Sequence, residues 1–84
     1  MKLKKNFITH RVGEEQLMLD VSGEFNGIVT NNDTAAFIVD CLMEDVSVSD
    51  IVKKVTDEYD VSYIIAEKDV MMIIEKLRKI NAIE

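Results

Sequence analysis

Cys41 and His10 are the only thiol and the only imidazole in the chain, a pairing that could supply a thiolate nucleophile and its base. They fall in what read as a helix interior and a strand, with no catalytic signature around either, so Cys41 reads as a small core residue. A single cysteine also excludes an internal disulfide and a thiolate metal cluster. Carboxylates are numerous but spread over solvated helix faces, and pairs such as Asp57 and Glu58 are adjacent in sequence and point in different directions. No convergent acid, base, nucleophile or metal set emerges, so neither a catalytic residue nor a cofactor is expected.

Apolar surface is what remains. "DVMMIIEKLRKI", residues 69–80, has helical character yet runs five bulky apolar side chains without a break from Val70 to Ile74. At about 100° per residue, Ala66, Val70, Ile73, Leu77 and Ile80 form one stripe, sufficient to bury the helix. Ile64, Met71 and Ile74 form a second seam beside it, bordered by Glu67 and Arg78, while Ile65 and Met72 lie farther round. A helix apolar nearly all round is usually a buried one. Equally, methionine suits surfaces that accept varied apolar partners, because its unbranched thioether repacks. The second seam is therefore either extra core or one wall of a peptide groove.

The elements that would position such a groove can be read in order. "FITHRV" (7–12) has strand composition, and "QLMLDV" (16–21) alternates, with Leu17, Leu19 and Val21 expected inward and Gln16, Met18 and Asp20 outward. Ser22-Gly23 and Asn26-Gly27 are both turn signals, which leaves two registers open for a short third strand, "GIVT" (27–30). Three strands with no fourth leave an edge of unpaired backbone groups. Asn32 then caps a helix whose stripe is Ala35, Ile38, Val39 and Leu42, with Phe37 off the stripe where it can pack on the sheet. Ser47 and Asp50 form a capping box for a second helix with one apolar face, Val48, Ile51, Val52, Val55 and Tyr59. Ser62 opens the third helix, which runs to Ile80, and Asn81 takes the left-handed position behind it. The predicted class is α+β, a three-stranded antiparallel sheet followed by three helices.

An 84-residue chain supports one core, so a single domain over residues 1–84 is expected, with any function on its surface or in a shallow groove. The net charge of −6 argues against a phosphate-backbone binder. A winged-helix nucleic-acid-binding regulator is the alternative function on topology, but it needs a basic recognition surface. The last helix instead mixes Glu67, Asp69 and Glu75 with Lys68, Lys76, Arg78 and Lys79, so no nucleic-acid partner is expected. Lys2, Lys4 and Lys5 read as a solvated tail, no apolar run approaches the roughly 18 residues of a membrane span, and a cytoplasmic location follows.

Four stretches, "LMLDVSGE", "NDTAAFIVDCL", "VSVSDIVKKVTDEYDVS" and "AEKDVMMIIEKLRKINAIE", cover nearly the whole chain in the order of a known family. With its asparagine-led first helix, "SVSDIV" start, "EYDVS" lead-in and "AIE" ending, the chain resembles the PqqD family of small peptide chaperones. Their fold is also the RiPP recognition element (RRE) of ribosomal peptide modification systems. It departs from the family pattern at Asn31, where a leucine is usual, at Asn81, where a glycine is usual, and in a longer turn around Asn26 and Gly27.

The resemblance implies a winged helix-turn-helix-like fold that binds the leader of a precursor peptide as an added strand and presents it to a modifying enzyme, often a radical SAM protein. Carried onto this chain, the pairing strand would be Ile28, Val29 and Thr30. The apolar cleft would draw on Val70, Met71, Ile74 and Leu77, with Arg78 or Lys76 available to an acidic leader residue. None of these would be catalytic, and the protein would act as a monomer or weak homodimer.

Overall fold

The computed structural model describes residues 1–84 and opens on a hairpin: β1 (Phe7–Val12) turns through Gly13 and Glu14 into β2 (Glu15–Asp20). Gly13 sits at φ +62°, the positive value that the first residue of a II′ turn demands and that glycine takes at no steric cost. From β2 the chain passes through a loop to β3 (Ile28–Asn31), and the sheet order is β1-β2-β3, antiparallel throughout. Of the two turn signals in that loop, Gly23 takes the positive φ, +81°. Asp20 holds the loop together. Its carboxylate accepts from Asn6 Nδ2 (2.8 Å), from the Ser22 amide (2.8 Å) and hydroxyl (2.6 Å), and from the Phe25 amide (2.9 Å).

The alternation in β2 is present with its phase reversed. Gln16, Met18 and Asp20 are buried, whereas Leu17 and Leu19 are half-buried on the outer face and Val21 is 60% exposed. Burying the two polar side chains leaves no unpaired atom, because Gln16 bonds to Asn31 and Asp40, and Asp20 bonds to Asn6 and within its own turn. Met18 between them is fully enclosed. The outer face consequently carries the cross-strand row Ile8, Leu19 and Ile28.

Three capped helices follow, α1 (Asp33–Cys41), α2 (Val48–Glu58) and α3 (Tyr63–Lys79). Asn32 Oδ1 accepts from the Ala35 amide (2.9 Å), Ser47 and Asp50 form the reciprocal box, and Ser62 Oγ accepts from the Ile65 amide (3.3 Å). At the far end of α3, Asn81 adopts φ +60°. Its amide donates to the Arg78 carbonyl and the Ala82 amide to that of Leu77, which is the Schellman arrangement. Asparagine thus replaces the expected glycine without losing the stop.

The core joins Ile38, Val39 and Leu42 of α1, Ile51, Val52 and Val55 of α2, and Ala66, Val70, Ile74 and Leu77 of α3 beneath Phe7 and Met18 of the sheet. Phe37 packs edge-on against Tyr59, ring centroids 5.6 Å apart. The Tyr59 hydroxyl donates to Asp33 Oδ2 (3.0 Å); burial and that carboxylate push the phenol above its ordinary range. The lysine-rich start of the chain is no loose tail. Leu3 is buried, its amide donates to the Leu42 carbonyl, and the Lys4 amide donates to that of Ala82. No helix is long and apolar enough to cross a membrane.

Candidate functional site

In an antiparallel pair, residues that exchange both backbone hydrogen bonds alternate with residues that exchange none. Asn6 and Val21 face each other, and the Val21 amide donates to the Asn6 carbonyl (2.8 Å), so the β1–β2 exchange falls on Ile8–Leu19 and His10–Leu17. The β2–β3 exchange then falls on the other residues of β2, pairing Met18 with Val29 and Gln16 with Asn31. Ile28 and Thr30 therefore turn their N–H and C=O groups away from the sheet, along an edge that carries no charged side chain.

α3 faces this edge across a gap between the two backbones. No Cα of β3 comes within 8 Å of a Cα of α3, while α1 packs against both. The space between them is a groove of about 390 Å³. Val29, Thr30 and Asn31 form one wall, the start of α1 from Asn32 to Ile38 contributes the floor, and Asp69, Met72, Ile73 and Lys76 form the wall opposite. The C-terminal end of α3 shares a second hollow with Phe25, just before β3, whereas Tyr59, four residues before α3 begins, bonds to Asp33 at the start of α1. α3 thus runs antiparallel to β3.

That second hollow is larger, about 530 Å³, but it borders no free edge of β3, and its buried carboxylate, Asp20, is fully engaged by Asn6 and its own turn. Hydrogen bonds from Asn6, Ser22 and Phe25 hold that carboxyl far below the ordinary range. The groove beside β3 is the better candidate because it combines unpaired backbone with an apolar wall.

The structure brings only part of the sequence-predicted set to this groove. Val29 and Thr30 line it, and Ile28 offers its backbone while its side chain stands 64% exposed on the outer face. Val70, Ile74 and Leu77 lie in the core instead of the cleft: the buried stripe of α3 is Ala66, Val70, Ile74 and Leu77. Met71 is 48% exposed and sits about 160° round the helix from Ile73. Arg78 stands about 160° from Lys76, so both Met71 and Arg78 occupy the flank turned away from the groove. Met72 and Ile73 take the place given to Met71 and Ile74. They share their helix side with Asp69 and Lys76, at i, i+3, i+4 and i+7, a spacing visible in the sequence but indistinguishable there from its mirror flank.

Electrostatically the groove holds one charge of each sign. Asp69 is half-buried and Lys76 exposed, and neither makes an ion pair or a side-chain hydrogen bond within the chain. A catalytic pairing of Cys41 with His10 has no geometric basis: Cys41 lies on α1, which packs on the inner face of the sheet, and His10 projects from the outer face. Burial pushes the Cys41 thiol above its ordinary range, opposite to what a thiolate nucleophile needs. No group of three or more His, Cys, Asp or Glu side chains could hold a metal ion.

The chain is similar in structure to TbiB1, solved in complex with the TbiA(beta) leader peptide, with a TM-score of 0.85 and 19% identity over 100% of this chain and 95% of that one. It is also similar to a lasso peptide synthetase B1 complexed with its leader peptide, with a TM-score of 0.77 and 27% identity over 93% of this chain and 89% of that one. A comparison with curated proteins yields no match. The profile of the family described as Coenzyme PQQ synthesis protein D (PqqD) matches residues 15–83, from β2 through α3, and the chain belongs to the PqqD family.

Proposed function

We propose that this protein is a non-catalytic binding module for the leader of a ribosomally made precursor peptide, with residues 1–84 acting as one unit. The leader adds to the sheet as a fourth strand beside β3, its backbone bonding to the outward N–H and C=O groups of Ile28 and Thr30. Side chains on its inward face rest on Met72 and Ile73. The observation that carries this reading is the uncharged, unpaired edge of β3 facing α3 across a groove that no element of the chain fills. Family membership and two similar structures solved with leader peptides support it.

Held between β3 and α3, the leader keeps its outward face and both ends free, as presentation to a modifying enzyme requires. In PqqD systems that enzyme is often a radical SAM protein, and we assign the same class of partner here. Titrating labelled protein with the leader of the precursor encoded beside its gene should shift amide signals over residues 28–31 and 69–76. Shifts confined to α2 or to the outer face of the sheet would contradict it. Co-purification with the radical SAM enzyme of the same locus tests the partner separately.

A further inference from the structure

We infer that the groove selects leaders by the order of their charges: a basic residue, an apolar residue two positions later and an acidic residue two beyond that. This inference rests on the strand-addition reading above. Asp69 and Lys76 lie seven positions apart on one side of α3, about 10.5 Å along its axis, with Met72 and Ile73 between them. Both are without a partner in the chain. Asp69 has given up part of its hydration to a half-buried position and recovers an equivalent interaction only from an incoming cation or donor.

Side chains on one face of a strand recur every two residues, about 6.8 Å, so the first and fifth residues of a bound segment lie roughly 13.6 Å apart. The flexible stems of the ligand's basic residue and of Lys76 close the few ångströms of difference. The third residue then falls over Met72 and Ile73. Direction follows from the ladder: antiparallel pairing is slightly the more stable per residue, and α3 is itself antiparallel to β3. A strand antiparallel to β3 therefore runs with α3 and meets Asp69 before Lys76. The reverse charge order would set like charge against like at both ends, which discriminates against the wrong segment as well as favouring the right one.

Selection from a phage-displayed library of random dodecapeptides on the intact protein, followed by amide mapping of the enriched sequences, tests this. The expected consensus is basic, any, apolar, any, acidic, and the double variant Asp69→Lys/Lys76→Asp should invert the order. Exchanging the two charges of an enriched peptide should weaken its binding about fivefold, the scale of partly exposed ion pairs. Enriched peptides that shift residues 28–31 and 69–76 but show no charge order, or an order untouched by the double variant, would overturn the charge inference and leave strand addition standing. Enrichment of peptides that leave those signals unmoved, or no enrichment, would count against both.

Discussion

Asn31 donates from Nδ2 to Oε1 of Gln16 over 3.0 Å inside the sheet, and Gln16 Nε2 continues to Asp40 at 2.9 Å. This polar chain ties the end of β3 to β2 and to α1 at the point where the groove begins. This edge of the sheet is thus anchored by a side-chain hydrogen bond. Asn31→Leu is expected to strand a buried Gln16 oxygen and destabilise the fold by about 1–3 kcal/mol. The double variant with Gln16→Leu should recover much of that loss. Urea unfolding of the two single variants and the double variant gives the coupling directly; independent, additive effects would show that the pair does not anchor β3.

Ile74 and Met71 are three residues apart and differ completely in environment, 2% and 48% exposed. Ile74→Ala should cost about 2–5 kcal/mol through the cavity it leaves among helix side chains. Met71→Ala should change stability by no more than about 0.5 kcal/mol and leave peptide affinity unchanged. Met72→Glu is the complementary case, with a stable fold and affinity reduced by about tenfold or more, since it puts a charge on the apolar wall. Thermal unfolding alongside calorimetric titration separates the three.

Backbone direction in β3 can be probed with proline. Thr30→Pro removes an N–H that points away from the sheet, so the β2–β3 ladder survives and the melting temperature should fall only slightly. Peptide binding should drop by about tenfold or more, because one added-strand bond is lost and the ring occupies its place. Val29→Pro removes an inward N–H and should unfold the sheet edge. Equal destabilisation by both would mean that the alternation deduced for β3 is wrong.

Asp20 makes stability depend on acid. Its carboxyl is held low in the folded state, chiefly by Asn6 and Ser22, so the contribution is complete above the unfolded value of about 3.9 and is lost as pH falls below it. Asp20→Asn should therefore melt below the parent at neutral pH, and the gap should narrow steadily between about pH 5 and pH 2. A constant gap across that window would mean that packing, and not the ionised carboxylate, holds the 22–25 turn.

The helix starts and stops were legible in the sequence because each depends on one side chain and its immediate neighbours: Asn32, Ser47 with Asp50, Ser62 and Asn81. Phase was not. In β2, three aliphatic residues outweigh Gln16, Met18 and Asp20 on any hydrophobic measure. The partners that make the polar set cheap to bury lie elsewhere in the chain, at Asn6, Asn31 and Asp40. In α3 the apolar surface is so broad that either flank could serve, and only the position of β3 decides that Met72 and Ile73 face the groove. The free edge itself could be counted from the sequence, because three strands must end somewhere.

Amide hydrogen exchange at Thr30, measured with and without the precursor leader, reads strand addition at the N–H that must form the new bond. Its N–H has no partner in the isolated sheet, so it should exchange fast in the free protein and slow by about tenfold or more when the leader pairs with it, while Val29 and Asn31, already bonded to β2, change much less. A leader that binds while the Thr30 amide goes on exchanging at its free rate would contradict strand addition at β3.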